Sequence, residues 1–114
     1  MYEQGDIVLI PIPFTDLSSN KKRPVLVLSS NEYNKNTNDL IVAAITSNIY
    51  ENKYIVILTK NDLKYGNLLH ISCVRTDKLY TLAQSIIIKK FGAVKTEFFS
   101  SIIEKTYNII KPHF

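Results

Sequence analysis

Apolar residues fall into six short runs, at 6–10, 24–29, 40–46, 54–58, 68–74 and 85–89, separated by polar or proline-bearing breaks. Runs of five to seven residues rich in Val and Ile predict strands rather than helices. The third, LIVAAIT, is almost continuously apolar and is expected at the centre of the sheet. Pro11 and Pro13 end regular pairing after the first run, because proline has no N–H to give to a ladder. Residues 31–38, NEYNKNTN, read as a polar loop.

From residue 95 to 110 the period changes. Phe98, Phe99, Ile102, Ile103, Tyr107 and Ile110 fall on one helical face. Thr96 is the candidate N-cap, Pro112 follows the expected stop, and Gly92 reads as a turn before the helix. Six strands followed by one helix, with no strand–helix alternation, predict a mainly β fold. It is a curled sheet or small barrel with the helix over one open side.

A length of 114 residues fits one domain, residues 1–114, with a core large enough to fold without staples. The single cysteine, Cys73, excludes a disulfide framework and a multi-cysteine zinc site, and fits a reducing cytosol. No apolar stretch approaches the ~18 residues of a membrane span. The first six residues lack a basic start followed by an apolar segment, so no signal peptide is expected. A net charge of +4 tilts the partner towards anions. Only two of the cationic residues are arginines, Arg23 and Arg75, and a planar guanidinium suits phosphate better than ammonium does.

Three segments carry candidate chemistry. Residues 14–24, FTDLSSNKKRP, form a polar stretch with three consecutive cations, Lys21, Lys22 and Arg23, before Pro24. The plain interpretation is a solvated loop with gatekeeping charges. The functional one is a phosphate-binding loop in which Pro24 holds Arg23 extended at a strand edge. Thr46, Ser47 and Asn48 end the central strand; they cap it or supply hydrogen-bond donors to a phosphate oxygen. In HISCVR, residues 70–75, strand alternation puts His70, Ser72 and Val74 on one face and Cys73 on the other. A packed or surface role is the ordinary one for His70, and a core thiol is the ordinary one for Cys73. No Walker A, GxGxxG or HExxH motif is present, and His70 and His113 make no metal site, so neither metal nor cofactor is expected.

Taken together, GDIVLIPIPFTDL (residues 5–17), KRPVLVLS (22–29), IVAAITS (41–47), VRTDKL (74–79), the following YTL (80–82) and the FG step at 91–92 resemble the MazF/PemK family, in its PemK-like branch. These are the toxin halves of bacterial type II toxin–antitoxin pairs, and the resemblance spans almost the whole chain. It implies an SH3-like small barrel of the CcdB/PemK type, a cytoplasmic homodimer, and a metal-independent, sequence-specific endoribonuclease acting on single-stranded RNA. It further implies a cognate acidic antitoxin as partner. By similarity Arg23 and Thr46 are catalytic, and Arg75 has a structural or RNA-contacting role. Some members carry a carboxylate where this chain has Ser72, and some carry Arg where it has His70, so a carboxylate-base scheme does not transfer.

In such an enzyme the RNA supplies its own nucleophile, the 2′-hydroxyl. Arg23 would hold the non-bridging oxygens, Thr46 would add a hydroxyl donor, and His70 has the intrinsic pKa for acid or base work. Lys21, Lys22, Ser47 and Arg75, with Lys53, would follow the phosphates, and Phe14 or Tyr50 could stack a base. The expected products are a 2′,3′-cyclic phosphate and a 5′-hydroxyl. The competing reading is a non-catalytic barrel of the same fold that binds RNA, DNA or a protein, including a gyrase-inhibitor-like protein.

Overall fold

The Val- and Ile-rich runs become neighbours in one antiparallel sheet. The computed structural model describes residues 1–11 and 21–114. Among them the elements follow in the order β1 (Asp6–Pro11), β2 (Lys22–Val27), α1 (Asn31–Asn36), β3 (Asp39–Thr46), β4 (Ile55–Leu58), β5 (Leu63–Gly66), β6 (Ser72–Ala83), β7 (Lys89–Val94) and α2 (Thr96–Ile110). The sheet order is β4-β6-β3-β2-β1-β7-β5, and every pairing is antiparallel. The result is a mainly β half-barrel with a C-terminal helix, as the pattern predicts. The continuously apolar third run becomes β3, an interior strand paired with β2 on one side and β6 on the other.

Alternation along the strands builds two apolar clusters. Ile7, Leu26, Ala43, Ile45 and Val74 form one with Phe98 and Ile102 of α2. Their in-between neighbours Val8, Val25, Val27 and Val42, with Ile10 and Leu40, form the other. A curled sheet therefore buries both sides of its central strands, which is why the third run reads as unbroken hydrophobicity. Helix α2 buries Phe98, Ile102 and Thr106, one above the other at i, i+4 and i+8, the first two in the first cluster. Burying Ile102 completely is worth about 2–3 kcal/mol of transfer free energy.

Several local expectations are corrected. The N-cap of α2 is Lys95, and Thr96 is its first residue. Residues 31–38 are not all loop: Ser30 accepts a hydrogen bond from the Tyr33 N–H at 3.1 Å and starts the single turn of α1. Serine and asparagine serve caps and turns alike, so composition does not separate the two. The fifth strand of the pattern begins later than its apolar run: β6 starts at Ser72 and continues to Ala83. The sixth run opens instead with a 3-10 turn, Gln84–Ile86, and β7 starts only at Lys89. Gly92 lies inside that strand and not in a turn. β5 had no apolar signature, since only Leu63 of LKYG is buried.

One irregularity positions the site. Ala43 pairs with Leu79 and Ile45 pairs with Val74, so residues 75–78 of β6 stand against the single Ala44 of β3. This wide bulge is tied to the sheet edge by Thr76, which is buried. Its N–H and its hydroxyl both donate to the Tyr54 carbonyl, at 3.0 and 2.7 Å. Bulges sharpen the local twist and re-aim side chains, and they recur beside functional sites.

Candidate active site

On the side of the sheet away from α2, a cavity of about 430 Å³ opens beside the second apolar cluster. Its floor includes Ile10, Val25 and Leu82, and its polar groups include Arg23 from β2, Thr46 from β3, Asn48 just beyond it, and Arg75 and Lys78 from the bulge of β6. Tyr50 and Tyr80 complete the rim. The wall is mostly apolar, with cations at one edge, a combination suited to a ligand that joins an anionic group to a flat apolar one.

Arg23 and Thr46 meet through strand register. Val25 pairs with Ala44 in the β2–β3 ladder, and continuing that register by two residues sets Arg23 level with Thr46. Arg23 is exposed and extended in β2, paired with Ile10 of β1. Thr46 is half-buried at the end of β3, and its Oγ1 accepts the Asn48 N–H at 3.1 Å. That acceptance leaves the hydroxyl proton available as a donor.

Arg75 is held on two sides. Its Nε and Nη2 donate to the two carboxylate oxygens of Asp77, at 3.0 and 2.9 Å, and its guanidinium carbon lies 5.4 Å from the centre of the Tyr50 ring. The hydrogen bonds to Asp77 raise the Arg75 pKa further above its ordinary value. The same contact holds the Asp77 carboxyl below the usual carboxylate range.

The remaining sequence candidates are distributed unevenly. Arg23, Thr46 and Arg75 come together around the cavity. Lys21, Lys22 and Ser47 are exposed nearby in the chain but do not line it. His70 is not brought to the cavity. It sits exposed in a bend before β6 begins, so the strand parity that grouped it with Ser72 does not apply. Ser72 is buried and its hydroxyl donates to the His70 carbonyl at 3.1 Å; it is not among the lining residues. Lys53 places its ammonium over the Tyr54 ring, 5.1 Å from its centre. Phe14 and the rest of the stretch 12–20 lie outside the described residues.

Sequence reasoning did not single out Lys78, Tyr80 or Asp77 as site residues. Asp77 and Lys78 lie in the VRTDKL motif and Tyr80 just after it, but nothing in a linear pattern reveals that four of the motif's residues stand against one partner residue.

Comparison with known proteins bears on the fold and the family. No curated protein matches the chain. Among solved structures, an endoribonuclease in complex with its cognate antitoxin from a mycobacterial species superposes with a TM-score of 0.80 at 17% identity, over 98% of each chain. The Mycobacterium tuberculosis toxin MazF-mt6 gives 0.75 at 18% identity, over 96% of this chain and 99% of that one. MazF in a MazE–MazF complex from Deinococcus radiodurans gives 0.77 at 20% identity, over 96% and 95%. These likenesses establish the fold. The family model for the PemK-like, MazF-like toxin of type II toxin–antitoxin systems matches residues 3–109, nearly the whole chain, and the protein therefore belongs to that toxin family.

Proposed function

We propose that the protein is a metal-independent endoribonuclease that cleaves single-stranded RNA at a specific sequence, and that it is the toxin of a type II toxin–antitoxin pair. The observation that carries this reading is the meeting of Arg23 and Thr46 at the rim of one open cavity, in a chain of this toxin family.

The scissile phosphate lies between Arg23 and Thr46. The 2′-oxygen attacks phosphorus in line, its proton passes to solvent, and the 5′-oxygen leaves and takes up a proton. The products are a 2′,3′-cyclic phosphate and a 5′-hydroxyl end. Arg23 acts electrostatically, since a guanidinium is essentially never deprotonated. It holds the non-bridging oxygens as negative charge grows on them, and the Thr46 hydroxyl adds a further donor. Arg75 and Lys78 bind a neighbouring phosphate, and Lys21, Lys22 and Ser47 contact the strand outside the cavity. Single strands are the natural substrate, because in-line attack needs a backbone that can splay and the groove of duplex RNA hides its base edges.

The protein works in the cytoplasm as a homodimer, and its cognate antitoxin is a small acidic protein drawn to the positive balance of this chain. The reading is tested by incubating the protein with mixed-sequence RNA in EDTA and mapping the new 5′ ends. Cleavage at one recurring sequence, with 5′-hydroxyl termini, is expected. Tight RNA binding with no cleavage at high protein concentration would instead mark a non-catalytic binding barrel.

A further inference from the structure

Arg75 has five N–H donors, and Asp77 occupies two of them in a fork, on Nε and Nη2. The Nη1 pair and the second Nη2 hydrogen are left for another acceptor. Both residues stand in the bulge of β6, two positions apart, and the two hydrogen bonds show that their side chains meet there. The bulge is fixed underneath by Thr76 on the Tyr54 carbonyl, and the Tyr50 ring lies against the guanidinium. An arginine on a four-bond stem ordinarily loses much rotamer entropy when it binds a ligand. Here a carboxylate and a ring already hold the guanidinium before any ligand arrives.

We propose that Asp77 is a positioning residue: it fixes Arg75 in the cavity so that the remaining guanidinium edge receives an RNA phosphate adjoining the scissile one. The inference rests on the reading of the cavity as an RNA site. The alternative role for an acid at this place is obstruction, in which Asp77 competes with the phosphate for Arg75. The two roles differ in sign. Removing Asp77 raises the net charge by one, and electrostatics alone then strengthens RNA binding. A positioning role weakens it despite that gain in charge. The bidentate contact supports positioning because it uses the side edge of the guanidinium and leaves the end edge open.

The test compares the full-length wild type with Asp77→Ala, Asp77→Asn and Asp77→Glu. Two measurements are made: steady-state cleavage of an oligonucleotide containing the mapped site, and fluorescence-anisotropy binding of a single-stranded RNA hexamer pool at two salt concentrations. Asp77→Ala is expected to raise KM about tenfold while kcat changes less than about threefold, and to weaken hexamer binding. Asp77→Glu, which keeps the fork, recovers KM to within about threefold. Asp77→Asn keeps the shape without the charge and falls between, and it serves in place of the alanine variant if that one unfolds at the assay temperature. Binding that is unchanged or tighter in both Asp77→Ala and Asp77→Asn, with the salt slope steeper by about 0.7 for the added charge, overturns the proposal. If the wild type binds the hexamers but cuts nothing, the nuclease reading falls and the binding arm still decides this one. If it does not bind them, both fall.

Discussion

Thr46 stands directly opposite Cys73 in the β3–β6 ladder, so the candidate catalytic hydroxyl and the chain's one thiol share a cross-strand pair. Cys73 is fully buried. Burial pushes its pKa up, against a weaker opposing pull from Arg75, and the thiol is neutral at physiological pH. A neutral, enclosed thiol is a poor nucleophile. The folded protein should therefore react with a small disulfide reagent at least ~100-fold more slowly than the denatured chain. The sign for stability follows from the raised value. The contribution is intact below the ordinary thiol pKa and is lost as pH rises towards the folded one, so the urea midpoint should fall over that alkaline range. Rapid labelling of the native protein at neutral pH would show that the packing around β3 and β6 is open.

Replacing either polar group at the scissile position should remove most of the cleavage. A donor aimed at developing negative charge is worth about 3–4 kcal/mol, or 10²–10³ in rate. Arg23→Ala and Thr46→Ala are each expected to lose about that much kcat while their urea midpoints stay close to wild type, because Arg23 is exposed and Thr46 only half-buried. Arg23→Lys should recover little, since ammonium lacks the planar fork that holds two phosphate oxygens. Wild-type rates in both alanine variants would move the chemistry away from this cavity.

Much of this was legible in the chain. Val/Ile runs with turn signals between them specified β1, β2, β3 and β4, and a 3.6-residue period specified α2, because those elements bury one regular face or two. Arg23 and Thr46 were legible through their motifs and through the termini of two strands. What was not legible depends on contacts between distant segments. β5 has a single buried residue, Leu63, and exists because β7 pairs with it. The second half of β6 is largely exposed, so its sequence carries no core signal. The bulge at 75–78 breaks the alternation that would have announced a strand. His70 was grouped with Ser72 by a parity that holds only inside a strand, and the strand begins after it.

His70 gives a prediction opposite to the acid–base role that an imidazole suggests. It is exposed, precedes β6 and does not line the cavity, so it has no route to the leaving oxygen in this geometry. His70→Ala should keep kcat/KM within about threefold of wild type, and the pH–rate profile should keep its shape between pH 5 and 8. Loss of a limb of that profile in the variant would require the segment before β6 to close over the substrate.

The two glycines with positive φ separate backbone strain from steric exclusion. Gly5 has φ 91° and Gly66 φ 99°, a region that costs an ordinary residue about 1–2 kcal/mol. At Gly5 an added Cβ would meet nothing closer than 3.8 Å, whereas at Gly66 it would lie 2.4 Å from the Phe91 carbonyl oxygen and 2.6 Å from the Gly92 Cα. Both of the latter atoms are backbone of β7, to which β5 pairs through Gly66 and Gly92, so they cannot swing away as a side-chain tip could. Gly5→Ala should cost about 1 kcal/mol, the torsional part alone. Gly66→Ala should cost more than about 2 kcal/mol and detach β5 from the sheet edge. None of the cavity's lining residues comes from β5. Cleavage by Gly66→Ala at a temperature where it remains folded should therefore stay near wild type. Urea unfolding of the two variants measures the difference, and equal midpoints would mean that β5 does not hold its place against β7.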